Sequence, residues 1–574
     1  MRFEIPMERT RRQHVLTILV EDYFQVGAFE KLIRYQNWEN FEARYEQNTM
    51  KVIELLERFD SKGTFFVLGW IAERNPSLVK RISGLGHEVA SRGYYHRNIH
   101  NLSPEELRED LRRTNSVLEA ATGKKVIGYR SAEKLSYAKD EWILNILAEE
   151  GFEYDASFVP KRGDSKQYRF AHKRRCGDKD LWLFPYSTLN LGAVLLPISG
   201  GNYLRQLPFT LMRFAVDGWS RKTDQPFMFY FHVWELDPDQ PRISAATRVN
   251  QIRHYRKLDK MGWIIEELSQ RFDFTSIAEL IGAEDKAVIQ RRNPVQAAVY
   301  DSIIPKYRVQ STPTSIPITI VVPCYNEQEA LPYLVNILPS VENRLLENNY
   351  KANFVFVDDC STDSTKKDLD RYFRDKANVL ITSHKTNQGV AAGIMTGIRT
   401  AETEIVCSMD CDCTYDPHEL VNMLGRLTPG IDMVTASPYH RDGGVRNVPR
   451  WRLMLSRGAS FLYRRVLRSK MQTYTSCFRV YRKSSMTEIG LKETGFLGVA
   501  EMLGRLDLKG GSIIEHPTVL EVRLFGVSKM KTARTVIGHL KMLFWLARSR
   551  IFGNQDAIGT TNSKNPEYSP SKGN

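Results

Sequence analysis

The chain has 574 residues, of which 42% are apolar, 11% aromatic and 26% charged, the profile of an ordinary globular protein too long for one core and expected to divide into two or three domains. Its formal charge of +14 is uneven: Arg441 to Lys483 carries twelve Arg or Lys against the single acid Asp442, which predicts an anionic partner such as a nucleotide diphosphate, a lipid phosphate or a membrane surface. Nucleic acid is disfavoured because that block has neither a groove-reading motif nor an aromatic stacking platform, and the seven cysteines show no metal-ligand or disulfide spacing, which points to a reducing cytosol.

From His14 to about Ile281, strand-like runs alternate with amphipathic helices. The apolar run Val15–Val20 is short and meets Glu21 and Asp22 at once, so it reads as a first strand and not as a secretory signal. No run approaches the ~18 apolar residues that span a bilayer. A helix over Met50–Phe59 is expected to end with Gly63 as cap before the strand Thr64–Trp70. The next helix ends near Gly86 and feeds His87–Ser91. Ser103, Pro104 and Glu106 then spell a capping box for a helix running to Gly123. Val126–Arg130 follows as a strand, and a further helix ends at Gly151 before Phe152–Phe158. Repeated βα units without a glycine-rich phosphate loop predict a (β/α) barrel or distorted barrel with its site at the strand carboxyl ends.

Chemistry-bearing residues fall at those ends: Glu21 and Asp22 after the first strand, Arg92 and His96 after the third, Arg130 after the fourth, Asp155 after the fifth, and His232 late in the segment FMFYFHVWELDP. An acid pair with two imidazoles suits a metal-assisted hydrolase. The segments VEDYFQV, HEVASRGYYH, GYR, YDASF, YFHVWELDPDQPR and RHYRKL resemble the ordered motifs of the polysaccharide deacetylases of carbohydrate esterase family 4, over roughly the first half of the chain. That resemblance implies Glu21 as the base that activates water, Asp22 and His96 as ligands of Zn²⁺ or another divalent metal, Arg130 as the group that steadies the base, and His232 as the acid that protonates the leaving amine. Arg92 stands where the family has a metal-ligand histidine, and a guanidinium has no electron pair to give. His100 is the substitute available nearby in sequence. Ser131-Ala132 and Val233 are smaller departures.

Residues 282–315 lose the periodicity, carry several prolines and read as a linker between a first domain, 1–281, and a second, 316–533. The second opens with the strand ITIVVP, which breaks into CYNEQE. FVFVDD then ends in Asp358 and Asp359, with Asp363 or Ser364 capping the following helix. The run EIVCSMDCDCTYDP ends in Asp410 and Asp412, one residue apart. Like charges held this close call for a bridging cation, and Mg²⁺ or Mn²⁺ with a diphosphate is the expected solution. No G-x-G-x-x-G follows the first strand, which excludes a Rossmann dehydrogenase.

The segments VVPCYNE, VDDCSTDST, SMDCDCTYDP, SRGASFLYRRVL, TSCFRVYRK, GFLGVAEML and VRLFGVSKM resemble the inverting family 2 glycosyltransferases of the GT-A (Rossmann-like) fold, within them the dolichyl-phosphate mannose synthase group. The resemblance implies Pro323, Tyr325, Glu327, Asp358 and Asp359 at the base and ribose of a nucleotide-sugar donor. It implies Asp410 and Asp412 at the metal and diphosphate, and Arg479, Arg523 and Lys529 at phosphates of donor or acceptor. Thr473 stands where an acid is expected, and Cys477 replaces a glycine.

In the remaining segment, 534–574, Val536, Leu540, Leu543, Phe544, Ala547 and Ile551 share one helical face, with Lys541, Arg548 and Arg550 away from it. Such a helix either packs on its own domain or lies on an anionic membrane. The tail from Gly559 is expected to be disordered. The whole therefore reads as an α/β fusion of a deacetylase-like distorted (β/α) barrel and a GT-A glycosyltransferase, cytoplasmic and peripheral at the membrane. The expected acceptor is polyprenyl phosphate or another glycan. The barrel is expected to remove an N-acetyl group from the same carrier-linked sugar or, alternatively, to bind sugar without catalysis.

Overall fold

The computed structural model describes residues 13–137, 139–190, 195–283, 315–526 and 532–552. Most of the expected linker, the tail from Gly559 and Lys529 lie outside them. The chain forms two compact units, one of Met1–Trp38, Ala43–Gln240 and Ala246–Pro305, the other of Glu39–Glu42, Pro241–Ala245 and Lys306–Asn574.

The first unit contains β1 (Gln13–Val20), β2 (Thr64–Val67), β3 (Glu88–Ser91), β4 (Gly128–Tyr129), β5 (Tyr154–Asp155), β6 (His172–Cys176), β7 (Lys179–Leu183), β8 (Thr188–Asn190), β9 (Leu195–Pro197), β10 (Met228–His232) and β11 (Asp273–Thr275). One sheet runs β10-β1-β2-β3-β4-β5-β7-β6, with β11 also on β1, and only the β6–β7 pairing is antiparallel. Parallel neighbours need crossovers, and the helices Tyr45–Arg58, Pro76–Gly84, Pro104–Thr122 and Glu141–Glu149 belong to them. β1 is buried from His14 to Val20, as a strand covered on both faces should be. This is the deacetylase-like distorted barrel, with no pairing between its end strands β10 and β6 among the described residues.

The capping box at Ser103 and Glu106 is formed, and Gly123 closes that helix in the left-handed region at φ 71°. Gly63 does not cap its helix, which ends at Arg58 with Phe59 as cap. It is needed for space, since a Cβ there would lie 2.9 Å from the Leu16 carbonyl oxygen and from the Ile18 side chain.

The second unit contains β12 (Ile316–Cys324), β13 (Tyr350–Asp358), β14 (Val379–Ser383), β15 (Ile405–Ser408), β16 (Met433–Ser437), β17 (Gly444–Arg446), β18 (Arg479–Arg482), β19 (Ile513–Pro517) and β20 (Val519–Glu521). Its main sheet runs β14-β13-β12-β15-β18-β16-β19. β12 to β15 are mutually parallel where they pair, and β18 is antiparallel to both its neighbours. Val321, Val357, Ile394, Ile398, Val406, Val499, Leu503 and Leu546 belong to one buried cluster that joins this sheet to the helices Val390–Thr400, Phe496–Leu508 and Thr532–Phe552. Gly397 lets the first of these helices seat on β12, for a Cβ there would fall 2.1 Å from a Val321 methyl.

Candidate functional site

In the first unit, residues at the carboxyl ends of β1, β3 and β10 meet around Glu21, which is fully buried. Arg92 Nε donates to Glu21 Oε2 at 3.3 Å, and Arg92 Nη2 donates to His96 Nε2 at 3.2 Å. Arg92 Nη1 donates to the carbonyl oxygens of Arg130, at 3.5 Å, and Ser131. His232 Nδ1 donates to Glu21 Oε1 at 2.5 Å. Burial pushes the Glu21 carboxyl up, yet His232, Arg92 and His96 together hold it well below the usual carboxylate range. Burial pushes His96 down to about 4, against the pull of Glu21 and with the help of Arg92 and His232. Burial thus favours neutral His96, whose Nε2 meets Arg92, a group that can only donate, and lies 3.3 Å from Glu21 Oε2.

One expected role is corrected by this geometry, and the expected metal ligands are engaged elsewhere. Arg130 does not steady Glu21: its Nη1 donates to Thr17 Oγ1 at 3.0 Å, and its guanidinium lies 4.3 Å and 4.6 Å from the ring centres of Tyr230 and Tyr186. Arg92 is the guanidinium on Glu21. Of the two expected metal ligands, Asp22 accepts at Oδ1 from the Tyr23 amide and at Oδ2 from the amides of Arg44 and Tyr45, while His96 Nε2 meets Arg92. Burial pushes Asp22 up to about 7 despite those bonds. His100, the substitute nearest in sequence, has its Nδ1 3.5 Å from Asp140 Oδ1. A Zn²⁺ site therefore does not fit the residues present: the electron pair of His96 Nε2 is taken by Arg92, and Asp22 is turned to backbone amides.

In the second unit the crevice at the carboxyl ends of β12, β13 and β15 is laced by its own loops. The Asn326 amide donates to Ser361 Oγ at 3.0 Å, the Glu327 amide to Thr365 Oγ1 at 2.7 Å, and the Thr362 amide to Asn326 Oδ1 at 2.7 Å. Asp358 accepts from the Ser361 amide at 3.2 Å. Asp359 accepts from the amides of Gln388 at 2.7 Å and Gly389 at 2.6 Å and from His384 Nδ1 at 2.7 Å, so its carboxylate holds the turn that starts the helix Val390–Thr400. Pro323 and Tyr325 flank the end of β12, neither of them fully buried.

β15 ends at Ser408, so Asp410 and Asp412 stand in a turn closed by the Cys413 amide on the Asp410 carbonyl at 3.3 Å, not on strand spacing. Arg523 is shared: its Nη2 donates to Glu327 Oε2, and its Nε lies 3.4 Å from Asp412 Oδ2. Burial, then the nearby Asp412 carboxylate, push Asp410 up to about 7, with Arg523 opposing. Among the described residues three carboxylates gather around one guanidinium and offer hard oxygen donors, which fits Mg²⁺ or Mn²⁺. Among the described residues no three His, Cys, Asp or Glu side chains form a ready cage, so Asp410 and Asp412 would hold such an ion together with substrate phosphates.

Arg479, expected at a phosphate, is corrected as well. It is fully buried on β18 and donates to the carbonyls of Val499 at 2.8 Å and Tyr474 at 2.9 Å. Residues that sequence reasoning missed line a cavity of about 220 Å³: Tyr439, Arg457, Ser460, Phe461, Arg464 and Met471 with Gln472. The signal was present as Arg457, Ser460 and Arg464 on one face of a helix inside the basic block. Glu515 was missed too; it accepts from the amides of Gln472 at 2.7 Å and Thr473 at 2.8 Å.

Three family models match the chain: Polysaccharide deacetylase over residues 38–154, Domain of unknown function (DUF3473) over 156–282, and Glycosyl transferase family 2 over 319–490. A polyprenol monophosphomannose synthase of Mycolicibacterium smegmatis is 30% identical over 240 residues, covering 40% of this chain and 88% of the relative. The chain belongs to glycosyl transferase family 2. A dolichol-phosphate mannosyltransferase of Pyrococcus furiosus is 26% identical over 233 residues, which span 40% of this chain and 64% of that relative. Among solved structures, a CE4 family pseudoenzyme from Bacillus anthracis aligns at 18% identity over 48% of this chain and 68% of its own, with a TM-score of 0.26. The second unit is thus the family 2 glycosyltransferase, joined to a unit of deacetylase type.

Proposed function

We propose that the family 2 unit transfers a sugar from a nucleotide-sugar donor to a polyprenyl phosphate at the cytoplasmic surface of a membrane. The cavity beside the helix Arg450–Val466 carries this reading, because Arg457, Arg464 and the buried Ser460 hydroxyl suit a phosphate. On the same helix Trp451, Met454, Leu455, Phe461 and Leu462 are exposed, an apolar lane suited to a polyprenyl chain. The helix Thr532–Phe552 packs against it through His539 Nδ1 and Tyr463 Oη at 2.8 Å, and leaves Val536, Ile537, Leu540, Phe544 and Ile551 exposed beside Arg-rich surface. The names of the two curated relatives, with polyprenol and dolichol phosphate in them, agree with this acceptor.

The chemistry asks for little beyond placement and charge. An acceptor phosphate oxygen is already anionic at neutral pH and attacks the anomeric carbon without a base, so Thr473 in place of an acid is tolerated. Asp410 and Asp412 would hold Mg²⁺ or Mn²⁺, whose contribution is to neutralise the departing nucleoside diphosphate. Glu327 and Asp359 organise the donor side, and Arg523 adds positive charge there.

A second reading concerns the first unit: Arg92 on Glu21 favours a unit that holds a carrier-linked sugar over one that removes its acetyl group. Incubating the purified chain with a panel of nucleotide sugars and polyprenyl phosphate, and following the lipid by mass, tests both readings. A sugar-phosphate lipid is expected, with no later loss of acetyl from an N-acetylhexosamine product. Elongation of a glycan with no lipid product from any donor would overturn the acceptor.

A further inference from the structure

We propose that Arg92 is a built-in cation that takes the place of a divalent metal in the barrel site, so that this unit works without one. A buried carboxylate such as Glu21 needs a compensating charge, and a metal would supply it while fixing the surrounding imidazoles. Arg92 does both. Its Nε carries the charge to Glu21 at 3.3 Å, and its Nη2 fixes the ring of His96 at 3.2 Å. Its Nη1 is anchored on the carbonyls of Arg130 and Ser131, so the guanidinium is held from both sides and only 4% exposed.

An incoming ion would have to expel a group whose charge is permanent and whose fork of donors is used on every side. It would then find His96 and Glu21, with the His232 imidazole already engaged on Glu21 through Nδ1 and Asp22 serving the amides of Tyr23, Arg44 and Tyr45. The polar side chain left partly open at this centre is His232, 21% exposed and oriented by Glu21 through Nδ1. Recognition at this site then rests on that imidazole and its neighbours. The inference concerns the first unit alone and stands whether or not the transferase reading does.

The test counts zinc in the full chain carrying Asp410→Asn and Asp412→Asn, so that the transferase carboxylates do not contribute. After equilibration with Zn²⁺ and desalting, this parent is expected to retain no stoichiometric zinc. Adding Arg92→His puts a third imidazole beside Glu21, with His96 and His232, and should raise zinc affinity at least ~10-fold, to about one ion per chain. A further Glu21→Gln change should remove that ion again. Stoichiometric zinc in the parent overturns the proposal, and so does Arg92→His that folds but gains none. If Arg92→His fails to fold, the melting temperature of the parent decides: no change with chelator or excess Zn²⁺ is expected, and a fall with chelator that Zn²⁺ reverses overturns it.

Discussion

Two acid sites stand at strand carboxyl ends in this chain, and they are compensated in opposite ways. Around Glu21 the fold brings one guanidinium and two imidazoles, and the carboxyl is held ionised well below its usual range. Around Asp410 and Asp412 the described residues bring one guanidinium, shared with Glu327, and Asp410 is pushed up to about 7. The first site is complete within the polypeptide. Among the described residues the second carries more carboxylates than cations, which suits the ion and diphosphate proposed for it. A pair of acids at a strand end thus says where a site lies; the basic groups folded against it say what the site still lacks.

The largest break in this contrast should come from Arg92→Ala. It leaves Glu21 buried beside two imidazoles without its permanent cation, and removal of one partner of a buried pair costs ~3–5 kcal/mol. Denaturant unfolding of the full chain should show the loss in the first unit's transition, and an unchanged midpoint would mean that Arg92 does not balance Glu21. Asp412→Asn should do the reverse, keeping the melting temperature while lowering transfer ~10²–10³-fold, the usual scale for losing one preorganised electrostatic contact. Transfer within a few-fold of wild type, measured with labelled donor, would take Asp412 out of the site.

Smaller effects separate lipid contact from packing on the last helix. Phe544 is 73% exposed and Leu543 only 6%. Phe544→Glu should release the protein from anionic liposomes in a flotation assay with less than ~0.5 kcal/mol change in stability, whereas Leu543→Glu should unfold the helix's contacts with its own unit. Equal loss of stability in both would mean that neither residue serves the membrane.

The smallest effect is on pH. Burial pushes Asp155 up to about 7 from 3.8, although it accepts from the Ser157 amide at 2.9 Å and the Ser157 hydroxyl at 2.6 Å. The folded carboxyl holds its proton more tightly than the unfolded one, so its contribution is full below pH ~4 and is lost as pH rises towards 7. Asp155→Asn should flatten that decline, narrowing the melting-temperature gap between pH 5 and pH 8 by ~2–4 °C per kcal/mol removed. An undiminished gap would place the titration elsewhere.

Much of the architecture was legible because it depends on neighbours in sequence. The capping box at Ser103, the left-handed Gly123 and the alternation of apolar runs with helices are local and period-coded. The positions of Asp410 and Asp412 past a buried strand were legible for the same reason. The arginines were not. Whether a guanidinium meets a phosphate, a carbonyl or a carboxylate depends on which distant strand desolvates it, and no spacing records that. Arg479 sits in FRVYR, where Phe478, Val480 and Tyr481 are buried along with it, so no alternation marks which face it takes. Arg130 and Arg92 lie one strand apart, and only the pairing of β3 with β4 shows which of them reaches Glu21.

The contact of Gly397 with Val321 sets how closely the helix Val390–Thr400 approaches β12. One extra methyl would collide at 2.1 Å, so the helix Val390–Thr400 could accept it only by lifting from the sheet. That helix begins at the turn whose amides Asp359 grips, and the lift would drag Gln388 and Gly389 outward from the crevice. A hydrogen atom where other residues carry a side chain therefore lets the helix Val390–Thr400 sit close on β12, and tolerance to substitution at Gly397 measures how closely it must sit.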